Sequence, residues 1–227
     1  MLLAIDTATR QISLALHDGS TLRAESTWPS ENQHTVQLIP GIQRLLSQSG
    51  LTPSDLTAYA ITTGPGSFTG LRIGVAAAKG MASASDAPLV GINTLDVVAA
   101  AHPGTYSAAL IAVVQAGRGR VVARSHHWQK GVWTPRNEMR VFDWPSLIAA
   151  VDGTAIITGE IDPTGLKFLK DAQASGTPIT IAPGGIRLRR AGILAELAWS
   201  QLRAADSADG FAPALVTPIY VKSDSVV

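Results

Sequence analysis

GPGSFTGLRIGVAAAKG, residues 64–80, is the segment from which the rest of the chain can be laid out. It follows an apolar run at residues 58–61 and the pair Thr62-Thr63. Gly64, Pro65, Gly66 and Gly70 crowd into one short turn. Glycine admits positive φ and close backbone approach, and proline fixes φ. A strand therefore ends, the chain folds tightly, and a helix begins near Thr69 and runs to about Ser85. Every fourth position on that helix is small: Gly70, Gly74, Ala78, Ala82. Glycine in a helix interior costs about 1 kcal/mol relative to alanine. Tolerating Gly70, Gly74 and Gly80 implies an offsetting close approach, which the pattern assigns to another helix. Arg72 and Lys79 share one narrow edge, and Leu71, Ile73, Val75, Ala76, Ala77 and Met81 fill the rest. A helix apolar almost all round is buried almost all round. Strands cover one side. The other needs a second helix or a second protein.

The 227-residue chain is long enough for a substantial core in one domain or two small lobes. It is 46% hydrophobic and 15% charged, a globular composition rather than a disordered one. A net charge of +1 does not point to nucleic acid or membrane. The absence of cysteine excludes disulfides and thiol chemistry. Asp6 comes too early for the apolar region of a signal peptide, and no apolar run is long enough for a membrane span. A soluble cytoplasmic protein without membrane contact is the expectation.

Working outward from the organising helix, residues 2–5 read as a buried strand ending at Asp6. Residues 12–16 alternate as a half-buried strand, Asp18-Gly19 turns it, and residues 21–27 return. A helix over residues 32–49 places Leu38, Ile39, Ile42, Leu45 and Leu46 on one face. Gly50 and Leu51 then suit a Schellman stop. Thr52-Pro53-Ser54-Asp55 resembles a capping box. Beyond the organising helix come a strand at residues 89–92 and a helix capped by Thr94 that reaches about Ala101. His102-Pro103-Gly104 breaks the chain. Strands at residues 108–114 and 121–127 flank the turn Gly117-Arg118-Gly119. A short helix follows at 145–151, with strands at 155–158 and 179–182. Leu188, Ala191, Leu194, Leu197, Ala198 and Leu202 space a last helix, and residues 218–222 look extended. The order predicts an α/β protein with mixed sheets flanked by helices, in two lobes. The first lobe is residues 1–103 and the second 104–204, with 205–227 packing back onto the first.

Gly64, Gly66 and Ser67 at a helix start suit either an anion cradle or a turn shaped for packing. Leu71-Arg72 follow Gly70, so the Lys-Ser/Thr pair of a P-loop is missing. Asp6 suits a metal- or phosphate-linked carboxylate, or equally a turn cap. His17, His34, His102, His126 and His127 form no H-x-x-x-H or H-E-x-x-H pattern. His34, near a helix start, reads as a surface or interface residue. No G-x-S-x-G elbow surrounds Ser67. Arg187, Arg189 and Arg190 form a basic cluster, with Arg118, Arg120 and Arg124 elsewhere. These suit a solvated face or a contact to RNA phosphate.

LLAIDTATRQISLAL at the start, residues 34–46, GPGSFTGLRIGVAAAKG and PLVGINTLD together resemble the TsaB family, also called YeaZ. The resemblance covers residues 1–98 strongly. AVVQAGRGRVVA and PIYVK match in outline, with Gln115 standing where the family suggests an aspartate. The resemblance implies an actin/Hsp70/sugar-kinase-like (ASKHA) fold of two lobes. It implies a non-catalytic scaffold or activator role in making N6-threonylcarbamoyladenosine in tRNA. No catalytic residue, metal or cofactor is then expected on this chain. ATP and metal fall to partners, a TsaD-like paralogue and a TsaE-like ATPase, with tRNA contact indirect or weak. Self-association through the same helices is also implied. The expected interface is His34, Leu38, Gly70, Gly74, Ala78 and Ala82. A small ATPase or kinase of the same fold is the alternative, and a metallopeptidase-like protein a more distant one.

Overall fold

Alternation along the first strand sets out the layers of the first unit. In the computed structural model, which describes residues 1–30 and 33–221, β1 (Leu2–Asp6) is buried on both faces. Leu3 and Ile5 point into one apolar layer, and Leu2 and Ala4 into the other. The chain continues through β2 (Gln11–His17), β3 (Leu22–Pro29), α1 (His34–Gln48), β4 (Ala58–Gly64), α2 (Phe68–Ala84), β5 (Leu89–Asn93) and α3 (Thr94–Ala100). The strands form one sheet in the order β3-β2-β1-β4-β5. The hairpin partners of β1 and β2 run antiparallel, while β1-β4 and β4-β5 are parallel. Ser13 faces Thr27 across the β2-β3 ladder, and their hydroxyls meet at 2.6 Å.

The second sheet takes the order β11-β10-β6-β7-β8, with β9 on the free part of β7. Its strands are β6 (Ala109–Gly117), β7 (Arg120–Gln129), β8 (Val132–Pro135), β9 (Arg140–Phe142), β10 (Ala155–Gly159) and β11 (Ile179–Ile181). The helices α4 (Trp144–Ala149) and α5 (Pro163–Ala174) cover it, and Trp144, Leu147 and Leu169 join Val113, Val121 and Ile157 in its core. Each of these helices begins at an aspartate followed by or near proline. Asp143 accepts from Ser146 N–H, and Asp162 from Gly165 N–H.

Two compact units result: residues 1–97 with 190–219, and residues 98–189 with 220–221. The last helix, α6 (Ala191–Ala204), belongs to the first unit, not to the second lobe where its place in the sequence put it. Ala191, Leu194, Ala195 and Ala198 pack on Leu2, Ala4, Ala58 and Ala60. Small side chains on both sides allow the helix close to the sheet. Its start is fixed by Ser13, which accepts from Ala191 N–H, and by Glu25, which accepts from Gly192 N–H. The boundary likewise falls at Val97, before His102-Pro103-Gly104. Of the C-terminal segment expected to return to the first unit, residues 205–219 do so, and residues 222–227 lie outside the described part. Among the described residues no helix is long and apolar enough to cross a membrane.

Candidate protein–protein interface

The glycine turn is closed on its own neighbours. Ala8 O accepts from Ser67 N–H at 2.6 Å, and Ser67 Oγ accepts from Gly70 N–H at 3.2 Å. A side chain on Gly66 would overlap Ala8 O, and one on Gly64, at φ +118°, would overlap Ile219 O. Ile219 N–H in turn donates to Thr63 O at 2.7 Å, so the C-terminal segment seals the turn from outside. Asp6 points into the same assembly. It is buried and accepts from Ala8 N–H at 2.9 Å and from the Thr62 hydroxyl at 3.2 Å. The amides of Ser67 and Gly70 are thus engaged by the chain itself. This is the geometry of a turn shaped for packing.

The six residues expected at an interface lie inside the monomer. Gly70, Gly74, Ala78 and Ala82 face the first sheet rather than another helix. Side chains on Gly70 and Gly74 would overlap Thr7, whose hydroxyl donates to Gly70 O at 2.9 Å. Leu38 is in the core on α1. His34 is buried, and its Nε2 meets Thr9 O at 2.8 Å; a carbonyl only accepts, so Nε2 carries the proton. The close approach that the spacing of Gly70 and Gly74 indicated is real, but the approaching partners are the chain's own Thr7, in the loop after β1, and Ile61 of β4.

What α1 and α2 leave to solvent is the opposite side. Val36 is 67% exposed, Ile39 44% and Phe68 53%, high values for residues of this type. Pro40, Ala76 and Gly80 are exposed beside them, and Ile73 and Ala77 half-exposed. The two helices pack together over the same face of the sheet. Arg72 lies over the Phe68 ring with Cζ 3.7 Å from its centroid, a cation–π contact that holds the phenyl group against the helix. Lys79, expected on the same edge as Arg72, instead reaches the carbonyls of Ala214 and Val216 at 3.3 and 3.1 Å and fastens the C-terminal segment. The outer side of the two helices therefore carries an apolar group, Val36, Ile39 and Phe68 with Pro40, Ala76 and Gly80, among polar and charged residues that include Thr35, Gln43, Arg44 and Arg72. Sequence spacing missed it because Val36, Ile39 and Phe68 look like core residues.

The second unit accounts for the remaining motifs. Gln115 N–H donates to Glu160 Oε2 at 3.0 Å, and the Gln115 amide donates to Glu160 O at 3.1 Å. Buried Arg189 pairs with the same glutamate at 2.7 Å. In the first unit Arg190 pairs with Glu25. The arginine cluster therefore divides into structural pairs, one in each unit, with Arg187 half-buried. His102 Nε2 and the Thr158 hydroxyl are 2.5 Å apart, and burial pushes the imidazole below its ordinary range. His126 is buried while His127 is half-exposed, as adjacent strand residues should be. Among the described residues no cluster of His, Cys, Asp or Glu could hold a metal ion.

Comparison with known proteins adds a family. The model of a family described as TsaD, tRNA N6-adenosine threonylcarbamoyltransferase, matches residues 28–131. The tRNA threonylcarbamoyladenosine biosynthesis protein TsaB of Escherichia coli is 37% identical over 135 residues, 58% of this chain and 58% of that protein. Its namesake from Bacillus subtilis is 30% identical over 162 residues, 70% of each chain. The chain thus spans well under two thirds of the Escherichia coli relative and somewhat more of the Bacillus one. YeaZ from Pseudomonas aeruginosa superposes with a TM-score of 0.74 at 23% identity, covering 97% of this chain and 99% of that one. Component A of (R)-2-hydroxyglutaryl-CoA dehydratase from Acidaminococcus fermentans does so at 0.52 and 12% identity, covering 89% and 98%. At such identities the likeness shows the fold, and that fold is the actin/Hsp70/sugar-kinase-like one.

Proposed function

The chain belongs to the TsaB family of tRNA threonylcarbamoyladenosine biosynthesis proteins, and from that premise we propose that it is a non-catalytic scaffold or activator subunit in N6-threonylcarbamoyladenosine synthesis. Its partner is a TsaD-like catalytic subunit, docked on the outer face of α1 and α2. ATP and metal sit on the partner subunits, which include a TsaE-like ATPase. The same face serves self-association when the chain is alone.

The observation that carries this reading is the exposed apolar face built from Val36, Ile39 and Phe68. Water-exposed side chains of this kind, gathered on one face, mark a surface that another protein covers. The engagement of the Ser67 and Gly70 amides by Ala8 O and Ser67 Oγ supports the non-catalytic part, since it withdraws two donors of the glycine turn from a nucleotide phosphate.

The test is association of the full chain with a TsaD-like subunit, measured by sedimentation, with Val36→Glu and Phe68→Glu. Each places a charge at a packed interface and should weaken binding by about 10- to 100-fold. Melting temperature should hold, because both positions are solvent-exposed in the monomer. Undiminished association in both variants rejects the docking face. ATP hydrolysis by the isolated chain at an ordinary enzymatic rate rejects the non-catalytic role.

A further inference from the structure

The second unit contains a cavity of about 640 Å³ that the reading above does not use. Ile111, Ala123 and Leu147 form its apolar floor, and Arg124, Arg136 and Arg140 stand around it. Its floor reaches Ala109 and Ala155, the first residues of β6 and β10. It therefore sits at the amino ends of these parallel strands, away from the carboxyl ends where ligands of α/β sheets usually gather. The rim is held in place. Ser125 N–H donates to the Asn137 side chain at 3.0 Å, and Arg136 N–H to Ser125 O at 2.8 Å. Among the described residues neither Arg136 nor Arg140 forms an ion pair, and both are exposed.

A hollow of about 250 Å³ adjoins it and shares Ala109, Arg136 and Asp152. Tyr106, 83% exposed, lines this hollow together with Trp128, which stacks edge-on against Trp133 at 5.4 Å. Glu138 and Asp152 also face the combined groove.

We propose that this groove binds a nucleotide, with its phosphate on Arg136 and Arg140 and its base against Tyr106. Guanidinium groups beside an exposed aromatic ring supply both attractions that a phosphate–base unit offers. The volume lies within the roughly 300–1,000 Å³ usual for small-ligand sites. Glu138 and Asp152 select against a bare anion, which they repel. They suit a ligand that also carries hydroxyl or amino donors. A free mononucleotide and one unit of single-stranded RNA share this chemistry. The site stands on the second unit alone and does not depend on the docking face of the first.

The full chain is titrated calorimetrically at low salt with AMP, with an oligouridylate of eight residues, and with inorganic phosphate. AMP or the oligonucleotide should bind, and the double variant Arg136→Ala, Arg140→Ala should weaken that binding by about tenfold or more. Tyr106→Ala should weaken it as well, and Arg44→Ala, on α1 of the first unit, should not. If the double variant melts early, Arg136→Gln and Arg140→Gln are read singly. Comparable affinity for AMP and the oligonucleotide identifies a free nucleotide. A much tighter, steeply salt-dependent oligonucleotide identifies single-stranded RNA. The proposal is overturned if neither binds, if the arginine variants bind like the parent chain, or if phosphate competes as well as AMP.

Discussion

Gly74 and Gly80 lie on the same helix, yet the same substitution should move stability in opposite directions at the two sites. Alanine is favoured over glycine in a helix interior by about 1 kcal/mol. At Gly80 a new methyl group meets nothing within 4 Å, so Gly80→Ala should gain up to that amount. At Gly74 the methyl would overlap Thr7 Oγ1 and come within 3.2 Å of Ile61 Cδ1. Thr7 must then rotate away and surrender its hydrogen bond to Gly70 O. Orphaning that buried pair costs about 1–3 kcal/mol. Forcing the helix off the sheet costs about 1–3 kcal/mol more. After the propensity gain is subtracted, Gly74→Ala should lose about 1–5 kcal/mol. For a chain of this length each kcal/mol shifts the melting temperature by about 2–4 °C. The assay is thermal and urea unfolding of both variants beside the parent chain. Adding Thr7→Ala should restore part of the loss at Gly74, a coupling of about 1–3 kcal/mol. A Gly74→Ala protein as stable as the parent, or a loss at Gly80 matching that at Gly74, would refute the reasoning.

Ala78 is fully buried against the first sheet, so Ala78→Arg should destabilise by several kcal/mol through an unpaired buried charge and collapse the fold; a stable chain that merely stops associating would return the stripe to the interface. Asp18 is held at about 2 by the Ser20 backbone N–H, then by the Ser20 hydroxyl and the Thr21 N–H, against an ordinary value of 3.8. Its contribution is therefore present above about pH 3.8 and lost as pH falls through the folded value. Carboxylate NMR titration should give that low midpoint, and Ser20→Ala should raise it; an unchanged midpoint counts against the hydroxyl's part. Burial holds His102 below 6.5, so the unfolded chain takes up a proton that the folded chain resists. Stability should be full above about pH 6.5 and fall below it, and His102→Gln should flatten that limb of a denaturation-versus-pH curve. An equally steep limb in the variant would assign the dependence elsewhere.

Much of the first unit is legible from local chemistry. Asp18-Gly19 and the alternation on either side suffice for the β2-β3 hairpin, and the crowded glycines suffice for the β4-α2 turn. Their determinants are adjacent in sequence and have few conformational solutions. The strands β8 and β9 and the helix α5 escaped a reading based on apolar spacing. Only Gly165 and Leu169 of α5 are buried, while Lys167, Lys170 and Asp171 punctuate it. Its start is fixed by Asp162, which accepts from Gly165 N–H, with Pro163 at the first helical position.

The failures at longer range share one cause. A small-residue stripe says that something comes close, and its spacing is the same whether that is a strand, a helix or another protein. Gly74 cannot announce Thr7, which lies far off in sequence, and Ala191 cannot announce Ala4 or Ala58. The assignment follows once both sides of α2 are weighed together. The inner side needs glycine because Thr7, in the loop after β1, lies against the helix at Gly70 and Gly74. That need says nothing about the outer side, where a soluble monomer would be expected to place charge. Instead that side carries Phe68 under Arg72, then Ile73, Ala76 and Gly80. The conformational demand and the proposed docking face therefore reside on opposite faces of one helix. Mutations on the two faces should accordingly separate, the inner ones registering in melting and the outer ones in association.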